Sequence, residues 1–289
     1  MSKRKVLCII DVYNWAMHNR FLALEKYFGH EFVFNVILAK ELNKNHFKNH
    51  DIVYSLNWVL HKHIQKHIPK NRKFKLVTTV CSHGKGGGTN KLRGVLREYD
   101  RISASSAFLY KQLKHNYDNV IYTPFGVDRE VFKKITVPSS YQDKFGFVGK
   151  TNRPLKRFRD IKRAVENNRF KLSVVSHTSN FDKDQMVNFY NRIGTLICYS
   201  ESEGTPNPVL EAASCGRAVI STKVGNVPEL FGKRYPLKPV GNKADLEWQI
   251  KQLSKNKRLL DECGRYLERR IAHTWSWDKR VSSFGSLLS

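Results

Sequence analysis

Short apolar runs alternate with amphipathic stretches along almost the whole chain. The first run, residues 6–10, stops at Asp11, and residues 14–28 then carry apolar side chains at helical spacing up to Gly29. Further strand-like runs lie at residues 32–39, 52–54, 76–81, 101–104 and 120–122. A second series lies at residues 145–149, 172–175, 195–199, 218–222 and 234–237. The alternation predicts parallel sheets joined by crossover helices, an α/β architecture.

A stretch with proline, glycine and serine separates the two series. It covers residues 123–132 and 137–140, and its composition is typical of a linker. We therefore predict two domains, residues 1–138 and 139–289. A chain of 289 residues is long enough for two cores of ordinary size. The end of the chain is predicted to be helical at residues 242–254, 257–273 and 277–288.

The composition indicates a globular protein. Hydrophobic residues make up 40% of the chain and aromatic residues 12%, too many for a disordered chain. No apolar run approaches the roughly 18 to 20 residues that span a bilayer. The basic residues 3–5 precede only five apolar residues, too few for a signal peptide, so we expect a cytoplasmic protein, in the host cytoplasm if a phage encodes it. The five widely spaced cysteines are expected to be free thiols.

The net charge of +26 is the second marked feature. Residues 1–125 carry 21 Lys and Arg against 8 Asp and Glu, so the first part of the chain has the denser positive charge. Charge of this size attracts polyanions through counterion release. A nucleic acid and an anionic membrane surface are both suitable partners, and a generally solvated basic surface is the plainer alternative.

One segment carries the most specific chemistry, Glu203-Gly-Thr-Pro-Asn-Pro-Val-Leu-Glu211, followed by a small-residue helix, Gly216 and a β-branched strand. Partly buried carboxylates need hydrogen-bond donors, and a ligand rich in hydroxyls supplies them. The segment resembles the E-x7-E motif of GT-B glycosyltransferases, especially glycosyltransferase family 4.

Shorter motifs extend this resemblance over most of the chain. They lie at residues 100–106, 122–132, 147–157, 224–230 and 275–277. Phe125 replaces an asparagine of the family pattern, Lys150 an arginine, and Arg157 the glycine that follows a lysine. The resemblance implies two Rossmann-like domains that face each other across a cleft, the first binding the acceptor and the second the nucleotide sugar. It also implies that the last helix packs back on the first domain.

The resemblance further implies transfer of a sugar from a nucleoside-diphosphate sugar, UDP-sugar foremost, with retention of configuration. Charge develops on the departing diphosphate, so cations and helix N–H groups would stabilise it. Glu211 would bind the ribose and Glu203 would lie beside the sugar. Candidate catalytic residues are Glu203, Lys156, Lys150 and His83. Candidate donor-binding residues are Gly149, Lys150, Arg153, Lys156, Thr205, Pro206, Asn207, Pro208, Val209 and Glu211.

Acceptor contacts transfer least well from the family. The loop after the first strand lacks the glycine pair of many members and carries aromatic residues that could stack on a base or sugar or could pack in the core. A basic glycine-rich loop follows His83 and lacks the spacing of a P-loop. Candidate acceptor-binding residues are Asp11, Tyr13, Asn14, Trp15, Lys85, Lys91 and Arg93.

Neither a tightly bound cofactor nor an essential metal is expected. Asp182-Lys-Asp184 has the spacing of a metal-binding D-x-D motif, but it precedes a helix, where acidic residues are favoured as caps.

Three functions remain open. The first is a glycosyltransferase acting on DNA with hydroxymethylated bases, which would have to expose its target base. The second is a membrane-surface glycosyltransferase acting on a lipid or cell-envelope precursor. The third is a non-catalytic nucleic-acid-binding protein on a glycosyltransferase fold. The basic first domain, and a mixture of lysine and histidine without an amphipathic helix at residues 40–75, favour the first.

Overall fold

A computed structural model describes residues 3–82, 89–136, 141, 143–176, 178–179 and 181–289, without the side chains of residues 89–91. The chain divides into two compact units. Unit 1 comprises Met1–Phe125 and Arg280–Ser289, and unit 2 comprises Gly126–Lys279. Each unit contains a parallel sheet, which confirms the predicted α/β fold class.

Unit 1 is built on a six-stranded sheet in the order β2-β1-β3-β4-β5-β6, with every neighbouring pair parallel. Its strands are β1 Arg4–Ile10, β2 Phe32–Leu38, β3 Ile52–Ser55, β4 Lys75–Val80, β5 Arg101–Ala104 and β6 Val120–Tyr122. Its helices are α1 Ala16–Phe28, α2 His61–Ile64, α3 Thr89–Leu96, α4 Ala107–Lys114 and α12 Ser282–Leu288. Residues 6–10 of β1 are all buried, because the strand lies inside the sheet with both faces covered.

Helix α1 covers the sheet with the apolar stripe that its sequence predicts. Phe21, Leu24 and Phe28 are buried at spacings of three and four residues, and the helix ends where the Gly29 N–H donates to the Glu25 carbonyl. Arg20 is also buried on this helix. Its guanidinium lies 3.5 Å from the centroid of the Phe125 ring. A cation–π contact of this kind stabilises a desolvated arginine.

Helix α12 belongs to unit 1, although it follows all of unit 2 in the sequence. Phe284 is fully buried and stacks on Phe125, with ring centroids 6.3 Å apart. The Ser289 carbonyl accepts hydrogen bonds from Arg4 Nη1 at 3.1 Å and Lys75 Nζ at 2.5 Å. Cations at the carboxyl end of a helix complement its dipole. The last helix is therefore part of the first sheet's packing.

Unit 2 is built on a four-stranded parallel sheet in the order β10-β9-β7-β8. Its strands are β7 Lys144–Val148, β8 Lys171–Val175, β9 Thr195–Cys198 and β10 Ala218–Ser221. Its helices are α5 Phe158–Asn167, α6 Lys183–Asn191, α7 Asn207–Ser214, α8 Val227–Phe231, α9 Lys243–Lys255 and α10 Lys257–Arg270, with α11 Trp277–Arg280 at the unit boundary. A π-helical turn, Ile271–Trp275, continues α10.

The strand predicted at residues 234–237 is wrong. Pro236 and Pro239 lack the N–H groups that a ladder needs, and the Tyr235 hydroxyl instead bonds to the backbone of Val219 through both its N–H and its carbonyl. Backbone pairing with the end of β10 is confined to an isolated bridge between Thr222 and Val240, next to which the Val240 N–H donates to the Ser221 carbonyl at 2.8 Å. Tyr235 and Leu237 are therefore buried without strand pairing, and the Tyr235 hydroxyl takes the place of a backbone ladder at β10.

The division between the units lies after Phe125, whereas the sequence prediction placed it at residues 138/139. Val127 pairs with Ser276, and its N–H donates to the Trp275 carbonyl. A Cβ on Gly126 would lie 2.6 Å from the Trp277 backbone, so the two segments are in close contact. These contacts make residues 126–136 part of unit 2.

Within the described residues, no helix is long and apolar enough to cross a membrane. All five cysteines are free, and four of them are buried. Burial raises the pKa of the Cys215 and Cys263 thiols to about 12, so both are neutral near pH 7.

Candidate functional site

The carboxyl ends of the unit 2 strands bring the candidate donor-binding residues together. In open parallel sheets, ligands bind outside this edge, where connecting loops diverge. The loop after β7 carries Gly149 and Lys156, and the loop after β9 carries Glu203. A small depression at this edge is lined by Phe147, Val148, Lys156, Leu196, Ile197, Cys198, Ser200, Pro206 and Pro208.

An ion pair joins these two loops. Lys156 Nζ donates to Glu203 Oε1 at 2.5 Å, and the two side chains are only 16% and 14% exposed. A charge that is this far removed from water requires a partner, so each residue holds the other in place. The pair also places a fixed cation and a fixed carboxylate side by side at the carboxyl edge of the unit 2 sheet.

Gly149 allows the lysine stem to pass close to the strand end. Its φ of +146° is a conformation that side-chain-bearing residues rarely adopt, and a Cβ there would lie 3.5 Å from Lys156 Cε. The Gly149 N–H donates to the Val175 carbonyl at 2.9 Å, which continues the β7–β8 pairing. Lys150 and Arg153 follow in the same loop with exposed side chains. Positive charge is therefore concentrated in this loop.

Glu211 lies on α7 and is held from the neighbouring helix α6. The Tyr190 hydroxyl donates to Glu211 Oε2 at 2.5 Å, and Tyr190 is fully buried. Burial raises the pKa of the Glu211 carboxyl to about 7, although the hydrogen bond from Tyr190 lowers it in part. Glu211 itself keeps a partly exposed surface. It can therefore present an oriented carboxyl group to a hydroxylated ligand.

The first turn of α7 offers few N–H donors to a phosphate. The helix begins at Asn207 after the N-cap Pro206, and Pro208 follows within the first turn. Neither proline has an N–H, and the Val209 N–H donates to the Pro206 carbonyl at 2.8 Å. Thr205 precedes this turn with a partly buried side chain. The cations of the β7 loop are consequently better placed to meet anionic charge than the helix start.

Gly225, a residue missing from the sequence-based site, supports the Glu203 loop from below. Its φ is +50°, and a Cβ there would lie 2.1 Å from the Gly204 carbonyl oxygen. The Thr222 hydroxyl donates to the Ser200 carbonyl at 2.6 Å in the same region. The loop after β10 thus packs directly on the loop after β9. The sequence signal for this contact was the glycine of the motif at residues 224–230.

Arg157 adopts the left-handed conformation, with φ of 47° and ψ of 37°. This explains why the resembled pattern has glycine at that position. Arg157 Nε donates to Glu201 Oε1 at 2.9 Å, and its guanidinium lies 5.2 Å from the centroid of the Tyr199 ring. A second contact between the β7 and β9 loops therefore accompanies the Lys156–Glu203 pair.

Four candidate acceptor-binding residues, Asp11, Tyr13, Asn14 and Trp15, lie in the loop at the carboxyl end of β1. Tyr13 is 41% exposed and Trp15 44% exposed, in the loop after β1. Asp11 Oδ1 accepts the Val12 N–H, and Asn14 has a φ of 62° with its N–H donated to His18 Nδ1. The loop is therefore a structured turn that presents aromatic side chains at its surface.

Another candidate acceptor-binding residue, Arg93, lies on α3 and not in the loop after β1. Arg93 is exposed on α3, and its carbonyl accepts a hydrogen bond from the Tyr117 hydroxyl. His83, Lys85 and the side chain of Lys91 lie outside the described residues.

The D-x-D sequence forms a helix cap. Asp182 accepts the Gln185 N–H, and the Gln185 side chain accepts the Asp182 N–H, which together form a capping box at the start of α6. In the described part of the chain, no cluster of three or more His, Cys, Asp or Glu residues is arranged to hold a metal ion.

Part of the chain matches a known protein family. Residues 159–270 match the model of the family described as "Glycosyl transferases group 1". The matched region begins in α5 and includes Glu203 in the loop after β9 and Glu211 on α7. No curated protein matches the chain in sequence.

Solved structures share the fold over nearly the whole chain. The sucrose-phosphate synthase of Thermosynechococcus elongatus superposes with a TM-score of 0.79 at 12% identity, covering 99% of this chain and 98% of its own. Anabaena Alr3699/HepE in complex with UDP-glucose gives 0.75 at 11% identity, covering 98% of both chains. The lipopolysaccharide outer core galactosyltransferase WaaB gives 0.62 at 11% identity, covering 99% of both.

At these identities the structures establish the fold, which is that of GT-B proteins. The match of residues 159–270 to the glycosyl transferases group 1 model supports the class of enzyme. The chain is a nucleotide-sugar-dependent glycosyltransferase with the GT-B fold and a glycosyl transferases group 1 domain at residues 159–270.

Proposed function

We propose that the protein transfers a sugar from a UDP-sugar bound at the carboxyl edge of the unit 2 sheet, with Glu203 and Glu211 acting as the E-x7-E pair. The Lys156–Glu203 ion pair is the observation that carries this proposal. It fixes a cation for the diphosphate beside a carboxylate for the sugar in one place. Complexes of Anabaena HepE with UDP and with UDP-glucose support the choice of donor.

The proposed division of labour follows from charge. Lys156 and Lys150 neutralise the negative charge that grows on the β-phosphate as the bond from the sugar's anomeric carbon to that phosphate breaks. Arg153 attracts the diphosphate from the rim of the loop. Glu211 accepts hydrogen bonds from the ribose hydroxyls, and Glu203 accepts from hydroxyls of the sugar. Thr205 and Asn207 line the approach to α7, whereas the side chain of Val209, the third candidate of this segment, is fully buried in the core of unit 2.

The reaction that these residues support has a simple balance. The acceptor oxygen forms a bond to the anomeric carbon, the bond to the β-phosphate breaks with its electron pair leaving on UDP, and the hydroxyl proton is released. The transition state has oxocarbenium character, by analogy with glycoside hydrolysis. Retention of configuration is part of the proposal and rests on the family resemblance.

For the acceptor we propose a hydroxyl group on a polyanion, recognised at the carboxyl edge of the unit 1 sheet. DNA with hydroxymethylated bases is one candidate. The net charge of +26 and the exposed rings of Tyr13 and Trp15 support it, since such rings stack on exposed bases. Asp11 and Asn14 supply hydrogen-bonding groups in the same loop.

A lipid or cell-envelope precursor on an anionic membrane is the second candidate. Val12, Val59 and Phe108 are 43%, 46% and 61% exposed in segments that follow β1, β3 and β5 at the same sheet edge. Apolar side chains of this size favour an acceptor with a lipid portion over a purely polar one. The lipopolysaccharide galactosyltransferase WaaB, which has the same fold, is consistent with such an acceptor.

A panel of nucleotide sugars, offered with hydroxymethylated duplex DNA, plain duplex DNA or lipid extract, tests both parts of the proposal. UDP release that depends on an acceptor is expected, and the acceptor that stimulates release identifies the class. Glu203→Ala and Glu203→Gln should abolish release, whereas Glu262→Ala on α10 should not. Unchanged release by both Glu203 variants would overturn the assignment and favour a non-catalytic binding protein.

A further inference from the structure

Two helices of unit 2 form one continuous outer surface. Helices α5 and α9 lie side by side, because Lys243 Nζ lies 2.8 Å from Asp160 Oδ1 and the Asn167 side-chain amide donates to Glu247 Oε1 at 3.4 Å. The buried residues of α5 and of α9 recur at spacings of one to four positions on the inner side of each helix. We call their outer surface the α5–α9 face.

Positive charge dominates the α5–α9 face. Its exposed cations are Arg159, Lys162, Arg163, Lys243, Lys251 and Lys255. Its carboxylates are Asp160, Glu166, Asp245 and Glu247, and each has a partner; Asp245 accepts the Gly241 N–H at 3.0 Å. Asp160 pairs with Lys243, Glu166 lies 3.7 Å from Lys162, and Glu247 accepts from Asn167. The carboxylates are thus engaged, and the face has an excess of cations.

An exposed tryptophan lies among these cations. Trp248 on α9 is 57% exposed, an unusual exposure for so large an apolar side chain. It precedes Lys251 by three positions and Lys255 by seven, so the three side chains share one stripe of the helix. Burial of an indole ring on a partner would recover apolar surface that the free protein leaves in water.

Helix α10 in the same unit is also basic, but it exposes no large apolar side chain. It also exposes cations, namely Lys257, Arg258, Arg265 and Arg269. However, its large apolar residues are buried or partly buried, and no residue of α10 is among the exposed large hydrophobics of the described chain. The combination of cations with an exposed indole therefore distinguishes the α5–α9 face from its neighbour in the same unit.

We propose that the α5–α9 face docks the protein on an anionic lipid bilayer, with Trp248 at the level of the headgroups and the surrounding lysines and arginines on anionic lipids. Tryptophan favours the membrane–water interface because its ring is apolar and its N–H is polar. Each nearby lysine or arginine adds attraction to an anionic leaflet. A surface that binds through phosphates alone gives an indole nothing to bury against, which is why duplex DNA fits this face less well.

The α5–α9 face lies next to the loop that carries Lys156, so docking through it would affect the position of the donor site. Helix α5 begins one residue after Arg157 and two after Lys156, so the basic face starts beside the donor loop. This inference deepens the proposed function, because it favours the lipid-borne acceptor. Docking would hold the donor site close to a membrane in which such an acceptor resides. Binding to vesicles can nevertheless be measured without any acceptor.

Vesicle co-sedimentation with matched variants tests the proposal. The protein should bind phosphatidylcholine vesicles that contain phosphatidylglycerol, and not vesicles of phosphatidylcholine alone. Trp248→Ala should weaken this binding about tenfold, and Arg163→Glu with Lys251→Glu by more, about 25-fold or beyond, and both effects should exceed those of the controls. The controls are Phe181→Ala, another exposed aromatic residue of unit 2, and Arg258→Glu with Arg265→Glu, the same charge change on α10.

The outcomes separate docking from catalysis. Absence of binding to anionic vesicles, or equal effects of face and control variants, would overturn the docking proposal. Weaker binding of plain duplex DNA by the face variants, with vesicle binding unchanged, would assign the face to nucleic acid and also overturn it. UDP release with a soluble acceptor reports on the proposed function separately. Its absence with every donor and acceptor, alongside intact vesicle binding, would be a failure of that function alone.

Discussion

The two sheet edges of this protein are prepared for binding in different ways. At the edge of unit 2, side chains are already paired: Lys156 with Glu203, Tyr190 with Glu211, and Arg157 with Glu201. At the edge of unit 1, aromatic and apolar side chains such as Tyr13, Trp15 and Phe108 are exposed.

Paired charges suit a ligand whose charge and shape do not vary, because the groups that will bind it are fixed before it arrives. Exposed aromatic rings suit a partner that covers them with its own apolar or aromatic surface on binding. The pairing is consistent with the proposed roles, in which unit 2 binds the donor and unit 1 binds the acceptor. Substitutions in the two units should consequently change different quantities.

The largest effect is expected from Lys156→Ala. This change removes the cation that we propose for the departing diphosphate, and it leaves Glu203 partly buried without its partner. Loss of one preorganised electrostatic group lowers kcat by roughly 100- to 1,000-fold. Steady-state UDP release at saturating donor would measure it. Lys171→Ala on β8, an exposed lysine of the same unit, serves as the control, and a loss below about tenfold would show that the pair is only structural.

Gly225→Ala should be next in size. The new Cβ would meet the Gly204 carbonyl oxygen at 2.1 Å, and the φ of +50° adds backbone strain, so the Glu203 loop must move. Strain and displacement of this kind cost about 1 to 3 kcal/mol of folding free energy. Urea unfolding would report this loss, and the KM for the UDP-sugar should rise with it.

Gly94→Ala is the matched control for that experiment. Nothing lies within 4 Å of a Cβ at Gly94, which is helical and exposed, so alanine there should stabilise the protein by roughly 0.5 to 1 kcal/mol. Equal effects of the two substitutions would contradict the contact between the loops at Gly225 and Gly204.

Tyr13→Ala and Trp15→Ala test whether the exposed rings of unit 1 affect the acceptor and not the donor. Stacking on a base contributes about 1 to 3 kcal/mol, so each change should raise the KM for a DNA acceptor by at least about fivefold. The KM for the UDP-sugar should not change. Phe181→Ala, an exposed aromatic residue of unit 2, provides the comparison. A change in the donor KM of the same size would show that the two edges are not functionally separate.

Much of the fold could be predicted from local sequence, and the exception has a local cause. Runs such as residues 6–10 are apolar because their strands are covered on both faces, so the sequence reveals them directly. Residues 234–237 look similar, but Tyr235 is buried by its hydroxyl contacts to β10 and not by strand pairing. Apolar character predicts burial, and it does not specify which backbone groups pair.

The candidate site divides in the same way. The spacing of Glu203 and Glu211 is visible because both lie in one continuous loop and helix. The hydrogen-bond partner of Glu211 cannot be predicted from the sequence, because Tyr190 lies 21 residues earlier on a different helix and only tertiary packing brings the two together. Gly225 was visible as part of a motif, but its role depends on a close approach to Gly204 that no sequence spacing encodes.

Tyr190→Phe should change the pH dependence of donor binding. In the proposed function the carboxylate form of Glu211 accepts hydrogen bonds from the ribose, so affinity for the UDP-sugar should rise with pH through the Glu211 pKa of about 7. Tyr190 lowers that pKa in part, and its loss should move the midpoint to higher pH. Kd values for UDP between about pH 5.5 and 9 would measure the shift. An unshifted midpoint, matching the Tyr117→Phe control in unit 1, would contradict the positioning role.

The Glu211 carboxyl should also make the free energy of unfolding depend on pH. Because its folded pKa of about 7 lies above its ordinary value of 4.5, the folded state keeps the proton longer than the unfolded state. This contribution is fully present below pH 4.5 and declines as pH rises to about 7. Thermal unfolding of the wild type should therefore show a Glu211-dependent loss of stability across this window that Glu211→Gln removes.

The smallest expected effect concerns two arginines with left-handed backbones. Arg157 has a φ of 47° and Arg169 a φ of 62°, and glycine should relieve about 1 kcal/mol of backbone strain at each position. Arg169 is exposed, so Arg169→Gly should stabilise the protein. Arg157→Gly should stabilise it less, because it also removes the contacts to Glu201 and Tyr199. The difference in unfolding free energy between the two variants measures what those contacts contribute to joining the β7 and β9 loops. Equal gains would mean that the Arg157 contacts add nothing to the Lys156–Glu203 pair and to the hydrogen bond from the Glu201 N–H to the Leu155 carbonyl, which also join these loops.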